Sequence, residues 1–185
     1  MTDFVPGGRR RIDRVLAPDF VESLSHLDLD TVRARRAQAD QEEADLSYAR
    51  RLLQGRLDLL RAEEARRRGE GPLTIGPRSD EEIVAALKQI LADDTREDFG
   101  LGRHPGAEPT RVGEHRREAE RAVADVGGSD LEMTDPRLAE SIARLSEIES
   151  RVSRSRRKVQ AVMDTLTDEI ARRYQHGDVS FADIS

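Results

Sequence analysis

DLDTVRARRAQADQEEADLSYARRLLQGRLDLLRAEEARRR, residues 28–68, holds no proline and one glycine, Gly55. Along it Val32, Ala39, Leu46, Leu53 and Leu60 recur every seven residues and Leu57 joins them, the apolar seam of a helix that lies along a second helix. Asp28 or Asp30 supplies an N-cap and Gly69 follows the last turn, so the pattern predicts one long helix over 28–68. A second long helix is predicted over 135–176, opened by Asp135 as N-cap and Pro136 at the first helical position, and closed near Gly177 after Arg172 and Arg173. An offset of 106 residues maps the first seam onto Leu138, Leu145, Val152, Val159, Met163 and Leu166. Two helices of one design, packed through their seams, make an all-α coiled coil.

Composition agrees. Ala, Glu, Leu, Arg and Lys make up 87 of the 185 residues, the balance of long helices, while aromatics at 3% leave too little bulk for the core of a barrel or sandwich. The chain has no cysteine, which excludes disulfides, thiolate metal ligands and thiol catalysis. No stretch of about 18 apolar residues exists, and the N-terminal segment lacks an apolar signal core, so a soluble cytoplasmic protein without membrane contact is expected. A net charge of −6 argues against tracking a nucleic-acid backbone and suits a basic protein partner.

Around the helices, residues 1–27 form an N-terminal arm with a breaker at Pro6-Gly7-Gly8, a basic run at Arg9–Arg11, and a short helix from Pro18 carrying Phe20, Val21 and Leu24. Residues 69–134 are a linker. It is rich in Gly and Pro over 69–78, and a capping box of Ser79 and Glu82 opens a short helix, 79–93, with Ile83, Leu87, Ile90 and Leu91 as its apolar stripe. The segment 94–134 is expected to be flexible apart from a helical patch at 114–125, and 177–185 is a short acidic tail.

The long helices share more than a seam. Glu43, Ser47, Arg50, Gln54 and Asp58 in the first, and Glu149, Ser153, Arg156, Gln160 and Asp164 in the second, have identical spacing, E-x3-S-x2-R-x3-Q-x3-D. At about 100° per residue each set occupies one strip about 80° wide, beside the seam. Packing through the seams would bring both strips to one groove. Arg50 and Arg156 offer planar donor forks to paired acceptors, and Glu43, Glu149, Asp58 and Asp164 offer acceptors to paired donors. Ser47, Ser153, Gln54 and Gln160 can supplement such contacts. Arg51 and Arg157 border the strips, open to two readings, solvated side chains or phosphate contacts. The competing reading of the whole pattern is a ligand-independent structural coiled-coil adaptor whose strips are surface charge.

In these two motifs the sequence resembles the RsiG family of actinobacterial anti-sigma factors, whose hallmark is this pentad in two copies on paired helices. The resemblance covers both long helices, about 80 residues, and the pentad is complete in each copy. It implies an antiparallel coiled coil that binds two molecules of cyclic di-GMP, a second messenger, as an intercalated dimer through the ten motif residues. It further implies capture of a sporulation sigma factor of the WhiG type, which keeps that partner from RNA polymerase. The histidines, His26, His104, His115 and His176, follow no ligand spacing and are read as surface residues, so no metal is expected. Glycine-rich phosphate loops are absent and an exposed helix offers no dry cleft, so no enzyme is expected.

Overall fold

The computed structural model describes residues 4–70, 107–109, 113–126 and 133–176. Four α-helices occur among them: α1 (Arg11–Val15), α2 (Leu29–Arg67), α3 (Glu114–Asp125) and α4 (Asp135–Gln175). Two 3-10 turns, Pro18–Phe20 and Leu24–His26, join α1 to α2. No strand occurs among the described residues.

The long helix α2 begins where Asp28 accepts a hydrogen bond from the Thr31 amide at 2.7 Å, and it ends where Gly69 takes a positive φ of 71° that a side chain would disfavour. Its partner α4 has Thr134 at the N-cap position, without a side-chain capping bond, and Asp135 already in the first turn beside Pro136, one residue earlier than the sequence expectation. The carboxylate of Asp135 instead accepts from Arg67 Nη1 at 2.7 Å and ties the start of α4 to the end of α2.

The helices run antiparallel. Arg36 meets Thr167, Ser47 meets Arg156, Gln54 meets Glu149 and Arg61 meets Ser146, each step forward on α2 being a step back on α4. The seam is their contact. Val32, Ala39, Leu46, Leu53 and Leu60 are fully buried, as are Leu145, Val159 and Leu166, with Leu57, Leu138 and Val152 nearly so and Met163 half-buried against them. Full burial of a Leu or Val side chain contributes about 1.5–3 kcal/mol, so this row is the main source of stability.

An antiparallel pair has two long grooves, one on each side of the seam. The N-terminal arm and α3 fill one of them. Ile12, Val15, Phe20 and Leu24 of the arm are buried, so the arm is part of the core, and Phe20 belongs to a single 3-10 turn where a short helix was expected. The helical patch expected at 114–125 is α3, packed on α2 through Ala119 and Ala122, with Val126 beyond it. Of the rest of the segment expected to be flexible over 94–134, residues 94–106, 110–112 and 127–132 lie outside the described residues, as do the short helix expected at 79–93 and the tail 177–185.

Beneath α3 sits a polar cluster. Glu42 and Asp45 of α2 are almost fully buried, Arg11 of α1 bonds to both carboxylates, and His115 of α3 meets Glu42 through Nε2. His115, read as a surface residue in the sequence, is buried and pins α3 to α2. Burial pushes the Glu42 carboxyl up, but His115 and Arg11 together outweigh it and hold the group below its usual value.

Candidate functional site

The groove opposite α3 belongs to the two pentads. Because the motif strip lies beside the seam on each helix, seam packing turns both strips toward the same side. The antiparallel register then interleaves them. Glu43 stands level with Gln160, Ser47 with Arg156, and Gln54 with Glu149, so the residues of one copy pair in reverse order with those of the other.

The contacts are close. Arg156 Nε donates to Glu43 Oε1 and to Ser47 Oγ, both at 2.8 Å, while Ser47 Oγ donates to Glu43 at 2.9 Å and Gln160 Nε2 to the same carboxylate at 3.3 Å. On the other copy Ser153 donates to Glu149 at 2.8 Å and Gln54 Nε2 donates to Glu149 at 3.2 Å. Arg50 is also partnered. These eight side chains are half-buried: the Arg156 side chain keeps 28% of its surface and that of Glu43 18%.

The remaining two motif residues are not in this cluster. Asp58 and Asp164 are exposed and stand near opposite ends of the groove, roughly 28 Å apart along the axis at 1.5 Å per residue. Arg50 and Arg156 differ in level by only about 4–5 Å. The carboxylates adjoining the arginines are therefore Glu43 and Glu149, and an aspartate reaches only what lies toward its own end.

Arg51 and Arg157 are exposed and equivalent. Arg51 Nε donates to the Ser47 carbonyl at 3.4 Å and Arg157 Nε to the Ser153 carbonyl at 3.3 Å, so both guanidiniums fold along the groove's outer rims. Arg154 and Lys158 are exposed, whereas Arg151 is half-buried on the α3 side beside Glu118 and Asp125. Near one end of the groove Tyr174 accepts a hydrogen bond from Arg33, which also stands 5.9 Å from its ring centre. No described element covers the middle of the groove. Residues 107–109 touch its rim, where the Ala107 amide donates to Asp40 at 3.3 Å.

In chemical terms the groove presents two central guanidiniums about an approximate two-fold axis, that of Arg156 flanked by the Glu43 carboxylate, the Ser47 hydroxyl and the Gln160 amide, with Glu149, Ser153 and Gln54 at the corresponding levels for Arg50. No group of three His, Asp or Glu side chains suited to a metal ion occurs among the described residues. No described helix is long and apolar enough to cross a membrane. The sequence could show the two strips and their common side. It could not show the interleaving, which depends on the register across the helix pair, nor the Glu42–His115 contact, whose partners are 73 residues apart.

No curated protein matches the chain. A family model described as RsiG-like matches residues 18–91 and 125–184, which include both long helices and both pentads. The chain therefore belongs to the RsiG-like family, and with that membership go an anti-sigma-factor role and a sigma factor as the general kind of partner.

Proposed function

We propose that the chain is a cyclic di-GMP-dependent anti-sigma factor acting in the cytoplasm, whose α2–α4 coiled coil binds two nucleotide molecules in the pentad groove and then captures a sporulation sigma factor of the WhiG type. The observation that carries this reading is the interleaving of two complete pentads across one open groove about an approximate two-fold axis. Cyclic di-GMP is itself two-fold symmetric, so one copy of the pentad can serve each half of a symmetric ligand arrangement. Opening the Arg156–Glu43 pair frees a planar donor fork for guanine O6 and N7 and an acceptor for N1–H and N2–H2. A half-exposed ion pair is worth about 0–1 kcal/mol, whereas a bidentate arginine–guanine contact is worth about 1–3 kcal/mol, so the exchange favours the ligand. Asp58 and Asp164 serve groups at the two ends of the groove, and Arg51 and Arg157 are placed for phosphates.

A second reading, a ligand-independent adaptor, is favoured by one fact: the groove's central polar groups already satisfy each other. Cyclic di-GMP titrations with thermal unfolding discriminate. Binding to the folded chain raises Tm by mass action, and Arg50→Ala and Arg156→Ala each cut affinity about tenfold or more with helix content unchanged. The sigma factor is retained in a pull-down only when the nucleotide is present. No Tm shift, together with nucleotide-free retention of the sigma factor, would establish the adaptor instead.

A further inference from the structure

The ten motif residues hold four carboxylates, Glu43, Asp58, Glu149 and Asp164, against two guanidiniums, Arg50 and Arg156, so the pentads alone carry a net charge of −2. That is a poor host for a ligand with two phosphodiester anions per molecule, because like charges in a half-buried groove repel. The rim arginines Arg51 and Arg157 bring the groove only to neutrality. Further positive charge has to come from outside the pentads.

Two residues of α2 supply it. Arg36 and Arg61 fall at about 20° and 0° on the helix, inside the angular strip of the motif, and each stands roughly 19 Å from the level of the two-fold axis, one toward either end of the groove. Each reaches across to a hydroxyl of α4, Arg36 Nε to Thr167 Oγ1 at 3.1 Å and Arg61 Nη2 to Ser146 Oγ at 3.2 Å. A neutral hydroxyl leaves a guanidinium's charge in place. Arg36 is partly offset by Asp40 at 3.3 Å, and Arg61 shows no ion pair with a described carboxylate within 4 Å. The offset of 106 residues puts Ile142 and Thr167 at the matching positions of α4, so α2 alone provides these end charges.

We propose that Arg36 and Arg61 are nucleotide-binding residues outside the pentads, which hold phosphate oxygens at the two ends of the groove and give it the positive balance that the motif lacks. This rests on the groove being the cyclic di-GMP site. On binding, each guanidinium leaves its hydroxyl for a phosphodiester, a stronger, charge-assisted bond.

The test is cyclic di-GMP titration at low and high salt into the full chain and into Arg36→Gln, Arg61→Gln, their lysine counterparts and Arg154→Gln, a control that removes one charge from an exposed position off the strip. Each glutamine variant should weaken binding about tenfold at low salt and show a shallower salt dependence. The lysine variants should stay within about threefold of the parent, because a phosphate needs charge more than a planar fork. Arg154→Gln should change little, and all variants should keep the parent's helix content. Glutamine variants that bind like the parent, or are weakened no more than Arg154→Gln, would overturn the proposal while leaving the pentad reading intact if Arg50→Ala still cuts affinity about tenfold or more. An absence of any binding by the parent chain would remove the pentad reading itself, and this proposal with it.

Discussion

Single residues in this chain do more than pattern analysis assigns them, and Asp13 shows how. Its carboxylate is almost fully buried and accepts from the Val5 amide at 2.9 Å, the Arg10 amide at 3.2 Å, and Arg10 Nε and Nη2 at 2.8 and 2.7 Å. The Arg10 guanidinium, with help from the Val5 and Arg10 amides and against the cost of burial, lowers its pKa to about 2. A Cβ on Gly8 would lie 2.1 Å from Asp13 Oδ2, so the chain passes this carboxylate where only glycine fits. Glu63 beside Arg66 and Arg67, and Glu169 beside Arg172 and Arg173, are also held at about 2. A carboxylate whose pKa is lowered by folding stabilises the fold above its unfolded value near 4 and loses that contribution as pH falls toward 2. Tm should therefore be level from about pH 7 to 5 and fall steeply from about pH 4 to 2. Asp13→Asn should lower Tm at pH 7 and flatten the acid limb, as measured by thermal unfolding across pH; an unchanged acid limb would remove Asp13 from this account.

At the scale of elements, the two long helices were legible because their information is local. The seven-residue recurrence from Val32 to Leu60 needs no knowledge of the partner, and Asp28 and Gly69 mark ends within one turn of themselves. The N-cap position at Thr134 was not legible, since Asp135 is an equally good cap by type and a long-range bond to Arg67 decides its role. Residues 1–27 read as an arm because Phe20 and Leu24 follow no long period, yet burial against α2 and α4 makes them core. Of the candidate site, the strips could be read and the displacement of Asp58 and Asp164 to the ends could not, since register across a helix pair leaves no mark in either helix alone. Gly55 is an exception within α2: an exposed interior glycine with nothing within 4 Å of an added Cβ. Ala is preferred over Gly in a helix interior by about 0.5–1 kcal/mol, so Gly55→Ala should raise stability by that amount in urea unfolding. Ala161 occupies the matching position of α4, and Gly55 lies about 120° from the strip origin, so nucleotide affinity should stay unchanged.

For the whole molecule, the division of the helix pair into a filled groove and an open one sets up unequal durability. The seam buries large side chains along its full length, but α3 rests on Ala119 and Ala122, on Val126, on the single buried contact of His115 with Glu42, and on exposed or part-buried polar contacts such as Arg56 Nη2 with the Val126 carbonyl at 3.1 Å and Arg144 with Asp125 at 2.9 Å. Alanines bury little apolar area, and exposed ion pairs contribute about 0–1 kcal/mol each. Detachment of α3 thus costs far less than separation of α2 from α4, and the two openings are distinct events. In a time course of deuterium uptake, backbone amides of 114–126 should exchange well before those of 46–60 and 145–159, and a shared rate for all three would show a single cooperative unit. In the opened form the N-terminal arm still lines its part of the filled groove and Arg11 still holds Glu42 and Asp45, so what α3 uncovers is the Glu42 carboxylate released from His115, while the pentads on the far side keep their register throughout.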